Sequence, residues 1–139
     1  MATMIRPELS LKNKYYIDKH RHYELKHFCL QYPNWKRACA DLDDVSISIS
    51  TMEFVPSGNL PGDPTAKHAI TKARLNERIK MIEEAARGAD DYLWQYILKA
   101  VTENLSYTHL KTKLDIPCGK DMYYDRYRKF FWLLNRIRG

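Results

Sequence analysis

The sequence contains few residues that interrupt a chain, few that could cross-link it, and no long apolar run. Its 139 residues include 5 glycines, 6 prolines and 3 cysteines. The cysteines, Cys29, Cys39 and Cys118, are odd in number and form no Cys-x-x-Cys pair, which argues against a disulfide scaffold. No apolar stretch approaches the roughly 20 residues that span a bilayer, and no basic-then-apolar signal segment follows Met1. We therefore expect a reduced, soluble, cytoplasmic protein without a membrane partner.

The residues that are present suit a packed core and a polyanionic partner. Apolar residues make up 45% of the chain and aromatic residues 12%, which separates it from disordered sequences. The 23 Lys and Arg residues exceed the 17 Asp and Glu residues, for a net charge of +6. From Gly119 onward, six basic residues stand against Asp121 and Asp125, so this short segment alone carries +4. A basic excess held on one element favours association with a polyanion.

Apolar residues recur at spacings of three and four along most of the chain, which predicts an all-α, multi-helix bundle of about six helices. The predicted helices cover 18–32, 33–42 and 65–86, then the segment from Asp90 or Asp91 to the break at Asn104, and finally 107–114 and 120–136. Asp18 and Ser106 are the predicted N-caps, and Gly88 is the predicted residue after the third helix.

Two segments break this helical pattern. Val45 to Val55 alternates apolar and polar residues, which indicates a short strand or an extended linker. Prolines and glycines then cluster from Pro56 to Pro64, and Asp63-Pro64 is a helix start signal. We therefore expect an N-terminal helical segment and linker over 1–62, followed by a helical domain over 63–139.

The end of the chain has the layout of a helix-turn-helix. Ser106 precedes a short helix, a turn follows at 115–119, and a longer basic helix begins near Lys120. The turn contains Pro117, which lacks a backbone donor, and Gly119, which permits unusual φ angles. The residues expected on the buried side are Leu110, Leu114, Ile116, Met122, Tyr123, Tyr127, Phe130, Leu134 and Ile137. The fold prediction is therefore an all-α bundle with a C-terminal helix-turn-helix.

This motif would place a specific set of side chains against double-stranded DNA. The first two turns of a recognition helix meet base edges, and here Lys120 and Arg128 could reach guanine, while Tyr124 could contact a thymine methyl group or a phosphate. Asp121 and Asp125 share a helix face and would tune selectivity. The predicted phosphate contacts are Lys111, Lys113, Lys129 and Arg136.

From Gly62 to Leu134 the chain resembles phage and prophage transcriptional regulators of the RinA/ArpU type. The resemblance rests on Asp63-Pro64-Thr65-Ala66-Lys67, on the basic helix ending in Arg78-Ile79-Lys80-Met81-Ile82-Glu83, and on Leu105-Ser106-Tyr107. Asp115-Ile116-Pro117-Cys118 and Met122-Tyr123 match the turn and the helix start, and this piece is also similar to sigma-factor region 4. The resemblance implies a sequence-specific DNA-binding regulator of late genes in a bacterial host cell, with host RNA polymerase as a further partner.

Other classes of function have less support in the sequence. His20, His22, His27 and Cys29 are close together, but they have no standard zinc-ligand spacing, so we expect neither a metal nor another cofactor. No phosphate-binding glycine loop or nucleophile elbow is present. Cys118 lies before a helix N-terminus, a place that lowers a thiol pKa, yet it fits better as a turn residue. We therefore predict no catalytic residues and no enzymatic activity.

Two alternatives to a regulator stay open. The chain could be a phage anti-defence or host-takeover protein that uses its aromatic and basic surfaces to inhibit a host protein, or a DNA-packaging protein similar to small terminases. The run Phe130-Phe131-Trp132 cannot be buried against one neighbouring helix. Either N-terminal helices pack on its far side or the surplus forms a homodimer interface, which would suit a reader of two half-sites.

Overall fold

The computed structural model describes residues 11–51 and 64–139, with side chains for 11–44 and 66–139. Six helices and no strand occur in these ranges, so the all-α prediction is confirmed. The helices are α1 (Lys19–Leu30), α2 (Tyr32–Thr51), α3 (Pro64–Ala89), α4 (Trp94–Glu103), α5 (Tyr107–Leu114) and α6 (Lys120–Arg138). Within these ranges, no helix has the length and apolarity needed to cross a membrane.

The chain divides into two compact units, and residues up to Gln31 and from Met81 onward form the first. In this unit α1 packs on α4 and α6, and α4 also contacts α5 and α6. Its core includes the buried side chains Leu25, Phe28, Cys29, Ile82, Ala85, Ala86, Leu93, Ile97, Leu110, Ile116, Tyr123, Phe130, Phe131 and Leu134. The N-terminal helix α1 therefore packs on the aromatic run of α6, as the first of the two alternatives in the sequence predicts, and Phe130 and Phe131 are buried within the chain.

Residues Tyr32–Lys80 form the second unit, which contains α2 and the first part of α3. Trp35 and Cys39 are buried on α2, and Ile79 is buried on α3. The Cys39 thiol lies 3.5 Å from Asn76 Oδ1, and the Arg78 guanidinium lies 5.8 Å from the Trp35 ring centroid. Lys72 pairs with Asp43. Polar contacts thus supplement a small apolar core, and Ile70 on α3 is 54% exposed.

The short strand or extended linker expected over Val45–Val55 is wrong over 45–51, where α2 continues to Thr51. The second helix is accordingly longer than the predicted 33–42. The preference of β-branched residues for strands is a context-dependent prior, and a strand also needs a partner, which the described residues do not supply. Residues 52–55, the linker at 56–63 and the predicted cap Asp63 lie outside the described residues, so the domain boundary at 62/63 stays a prediction.

Two helix ends near residue 90 also differ from the predicted ones. Gly88 was expected just after α3, but it lies inside the helix, which ends at Ala89. A Cβ atom at residue 88 would lie 3.0 Å from Leu133 Cδ1, so glycine here permits a close approach of α3 to α6. The fourth helix begins at Trp94 rather than at Asp90 or Asp91, and Tyr92, which precedes it, is 77% exposed.

Candidate nucleic-acid interface

Helix α5 begins and ends at the residues that its sequence predicts. The Ser106 hydroxyl accepts a hydrogen bond from the His109 backbone N–H at 3.1 Å, which satisfies one of the free donors of the first turn. Asn104, the C-cap of α4, has a φ of 58°, and this left-handed conformation turns the chain into α5. Asn tolerates such a conformation better than most residues do. The predicted helix 107–114 and its N-cap are confirmed.

The connection between α5 and α6 is held by hydrogen bonds and by one buried anchor. Asp115 adopts a left-handed φ of 52°, and the backbone N–H groups of Asp115 and Ile116 both donate to the Leu110 carbonyl. Ile116 is fully buried, as expected. The Tyr107 hydroxyl donates to the Cys118 carbonyl at 2.7 Å, and Lys111 Nζ donates to the Ile116 carbonyl at 3.4 Å. These bonds fix the course of the connection relative to α5.

Gly119 serves α6 differently from the prediction. Its φ is −78°, an ordinary value that any residue adopts, so no unusual backbone angle explains it. Gly119 is the N-cap and supplies no side-chain hydrogen bond, whereas Asp121 lies in the first turn, where a carboxylate interacts favourably with the helix dipole. Asp121 therefore has a structural role available apart from any contact with a ligand.

The buried side of α6 is narrower than expected. Tyr123, Phe130 and Leu134 are buried as predicted. Met122 and Ile137, expected on the same side, are 45% and 38% exposed.

A salt bridge that the sequence analysis did not anticipate ties α6 to the corner between α3 and α4. Arg126 Nε donates to Asp90 Oδ2 at 2.9 Å, and Arg126 also pairs with Asp125. Asp90 Oδ1 accepts the backbone N–H groups of Tyr92 and Leu93 at 2.8 Å each. Burial raises the pKa of Asp90, but the hydrogen bonds from Arg126 and from these two N–H groups outweigh it, and the net pKa is lowered.

This salt bridge could not be found from sequence spacing, because Asp90 and Arg126 are 36 residues apart. The available signal was Asp90 itself, which the sequence assigns to a helix start. Part of that prediction is confirmed, because the Asp90 carboxylate accepts two backbone N–H groups just before α4. Its second oxygen binds Arg126 and holds the first half of α6 in place.

The predicted DNA-contacting residues fall into two classes of exposure. Lys111, Lys113, Lys120, Asp121 and Arg136 are exposed, and Tyr124, Asp125, Arg128 and Lys129 are half-buried. Lys113 and Lys120 lie on either side of the connection, and no ion pair joins either of them to a carboxylate in the part of the chain that the structure describes. The two lysines at the junction of α5 and α6 are thus available to an anion.

Two of the half-buried residues, Tyr124 and Asp125, are engaged within the protein, and a third, Arg128, has a buried nitrogen. The Tyr124 ring packs near Tyr107 and Tyr127, and burial raises the pKa of its hydroxyl, an effect that the Tyr107 backbone N–H partly opposes. Asp125 pairs with Arg126. Arg128 Nε is buried and has no hydrogen-bond partner among the described residues. These side chains therefore lie on the same half of α6 as Lys120, but a smaller fraction of each is exposed to a ligand.

The thiol of Cys118 does not have the lowered pKa that its position before a helix suggests. Burial, followed by the negative charge of Asp90, raises the pKa of this thiol, and the opposing effect of Lys111 is smaller. Cys118 is therefore a protonated thiol at neutral pH, in keeping with its interpretation as a turn residue.

The histidines near the N-terminus do not assemble with other ligands. His20 and His27 are exposed, whereas His22 is buried, with its ring centroid 4.7 Å from that of Phe131. Among the residues that the structure describes, no group of three or more His, Cys, Asp or Glu side chains could hold a metal ion. His22 thus belongs to the aromatic packing between α1 and α6.

A comparison of this chain with protein-family models, with curated proteins and with solved structures found no match.

Proposed function

We propose that the chain is a sequence-specific regulator of transcription that binds double-stranded DNA through α5, the connection 115–119 and the first half of α6. The observation that carries this proposal is the junction itself: a connection anchored by the buried Ile116 separates two exposed lysines, Lys113 and Lys120, which form no ion pair with any residue that the structure describes. Phosphate contacts of this kind fix the register of a protein on DNA, while base edges are read from the adjoining helix.

The distribution of charge supports the same surface. Residues 107–139 contain eight Lys or Arg residues and three Asp residues, a net charge of +5 in a chain whose total is +6. One of the eight, Arg126, is neutralised within the protein by Asp90 and Asp125. The other seven form no salt bridge with the residues that the structure describes, so they can attract a phosphate backbone without first breaking one.

The proposal assigns different tasks to the residues at the junction. Lys111, Lys113 and Lys120 contact phosphates or, for Lys120, a guanine edge, because they are exposed and lie at the junction. Tyr124 and Arg128 would read bases only through the parts of their side chains that remain open. Asp121 and Asp125 disfavour phosphate and thereby restrict how α6 can enter a groove. A homodimer and a contact with RNA polymerase stay predictions.

The test is retention of fragments from the genome that encodes the protein, with random duplex as competitor. The variant Lys113→Gln with Lys120→Gln removes both exposed lysines of the junction, and Lys19→Gln with Lys99→Gln is its control, since it removes two exposed lysines of the same unit. We expect the wild type and the control to retain one fragment over competitor and the junction variant to lose affinity at least tenfold, since a contact to a charged group contributes about 1.5–3 kcal/mol. Equal retention of that fragment by all three proteins would contradict the proposed surface.

A second candidate function, binding and inhibition of a host protein, is favoured by a different observation. Asp121 and Met122 are exposed on the first turn of α6, and a carboxylate beside an apolar side chain suits a protein surface better than it suits phosphates. Salt separates the two functions, because binding through several phosphates weakens steeply with salt and an interface with apolar anchors does not.

A further inference from the structure

A second cationic surface lies on the C-terminal half of α6, beside the segment that precedes α1. Its members are Lys14, Tyr15, Lys129, Trp132 and Arg136, which we call the Trp132 cluster. The Tyr15 and Trp132 ring centroids are 5.6 Å apart, with an angle of 59° between the ring planes. Lys14 Nζ lies 5.0 Å from the Tyr15 ring centroid, and the Arg136 guanidinium lies 4.8 Å from that of Trp132.

The geometry of the cluster is set by two short stretches of chain. Lys129, Trp132 and Arg136 are spaced by three and four residues, so they follow one another on the same face of α6. The segment before α1 is bent by Asn13, whose side-chain oxygen accepts the Tyr15 backbone N–H at 2.8 Å and whose carbonyl accepts that of Tyr16 at 3.0 Å. This bend places Tyr15 against Trp132 and keeps Lys14 exposed.

No described carboxylate neutralises the three cations of the cluster. Over the described ranges, no ion pair joins Lys14, Lys129 or Arg136 to a carboxylate. Glu24 on α1 pairs with Arg21, and Arg21 also donates to Asn135 on α6. Trp132 holds the Arg136 guanidinium against its ring, and an arginine ordered in this way loses less conformational freedom when it binds an anion.

The position of the cluster suits the backbone of the same DNA that the junction of α5 and α6 would bind. At 1.5 Å per residue, Arg136 lies about 24 Å along α6 from Lys120. That distance is about twice the roughly 12 Å width of the major groove. When α6 enters the groove with its N-terminus first, its last turns therefore lie outside the groove, beside the phosphates. The three cations and the rings that hold them are then at the level of the DNA backbone.

We propose that the Trp132 cluster is a phosphate-binding surface that contacts the backbone of the bound duplex, with Trp132 and Tyr15 as positioning residues for Arg136 and Lys14. This inference rests on the proposed function and extends it, because it gives the segment before α1 a part in DNA binding. Phosphate, rather than an unpaired base, is the ligand, because Arg136 already lies against the Trp132 ring on which a base would stack.

The test compares matched charge-removing pairs in the full chain. The variant Lys14→Gln with Arg136→Gln removes two cations of the cluster. Its control, Lys19→Gln with Arg87→Gln, removes a lysine that lies 6.0 Å from the Tyr23 ring and an arginine that lies 4.6 Å from the Trp94 ring, so the same two kinds of contact are lost elsewhere in the same unit. Affinity for a duplex and for a single strand of the same sequence is measured at a series of salt concentrations.

We expect the cluster variant to lower the salt dependence of duplex binding by about 1.8 in log K against log salt, since each phosphate contact contributes about 0.9. The control is expected to leave that slope unchanged. The loss should be the same for cognate and random duplexes, because phosphate contacts carry no base information. Trp132→Ala should weaken duplex binding. Trp132→Phe, which keeps an aromatic ring next to Arg136, should retain most of the wild-type affinity.

Three outcomes would overturn the inference. An unchanged slope in the cluster variant, with wild-type binding still selective, would leave the proposed function standing and remove the cluster from it. A loss confined to the single strand would show a stacking site for bases. Absence of duplex binding by the wild type would reject the cluster and the proposed function together.

Discussion

At the scale of single residues, two neighbouring tyrosines, Tyr107 and Tyr123, differ in whether their hydroxyls have a hydrogen-bond partner. The Tyr107 and Tyr123 ring centroids are 5.6 Å apart. Tyr107 donates to the Cys118 carbonyl, whereas the Tyr123 hydroxyl is buried without a hydrogen-bond partner among the described residues. Burial is also the main cause that raises the pKa of Tyr123, so this hydroxyl stays protonated.

The two hydroxyl deletions should therefore have opposite effects on stability. Tyr107→Phe loses a bond that holds the connection 115–119 and should lower the free energy of unfolding by about 1 kcal/mol. Tyr123→Phe removes an unsatisfied buried group and should leave the free energy of unfolding unchanged or raise it by up to about 1 kcal/mol. Urea denaturation of the two variants measures both values. An equal loss in the two would show that Tyr123 also has a partner.

The Asp90 carboxylate should make stability depend on pH in the acid range. Its pKa is lowered in the folded protein, so its contribution is complete above the unfolded value of about 3.9 and is lost as the pH falls through the folded value. Asp90→Asn, which keeps an acceptor for the N–H groups of Tyr92 and Leu93 but loses the salt bridge to Arg126, should cost about 1 kcal/mol at pH 7.

The control for Asp90 is its exposed neighbour, Asp91. Asp91→Asn removes the neighbouring carboxylate and leaves the salt bridge to Arg126 in place, and thermal unfolding at pH 3, 4 and 7 compares both variants with the wild type. If Asp90→Asn and the wild type lost stability equally between pH 7 and pH 3, the salt bridge with Arg126 would not contribute to folding.

At the scale of helices, boundaries set by local chemistry could be predicted, and boundaries set by contacts between distant parts of the chain could not. Asp18 and Ser106 accept backbone N–H groups of the first turns of α1 and α5, as their residue types and positions predicted. Gly88 was read as a helix end because glycine often follows helices. Gly88 instead lies inside α3, where it allows the close approach of Leu133. Because Leu133 is distant in sequence, no local pattern predicts this contact.

The contact between α3 and α6 can be tested at Gly88. Alanine is a better helix former by up to about 1 kcal/mol, but its Cβ would lie 3.0 Å from Leu133 Cδ1. We expect Gly88→Ala to gain less than that amount alone, since the Leu133 methyl must move, and to gain more when Leu133→Ala is present. Urea denaturation of the four proteins of this double-mutant cycle measures the difference. The same gain in both backgrounds would show that the two helices are not in close contact there.

At the scale of the whole molecule, the helical class and the junction of α5 and α6 could be predicted because their signals are local. The spacing of apolar residues by three and four, the N-caps and the turn at 115–119 can each be recognised within a short window of the sequence. The Asp90–Arg126 salt bridge and the Trp132 cluster join residues more than thirty positions apart. Tyr15 and Trp132 become neighbours only because α1 packs on α6, and no pattern within one helix reports that contact.

The most direct test of the account is the affinity of the full chain for double-stranded DNA as a function of salt. The exposed cations Lys111, Lys113 and Lys120, with Lys14 and Arg136, predict about five phosphate contacts, and hence a slope of log K against log salt near −4.5. Such a slope, together with preference for one genomic fragment, is the predicted result. Absence of binding at about 50 mM salt, or an affinity that does not change up to about 200 mM, would contradict a DNA-binding function.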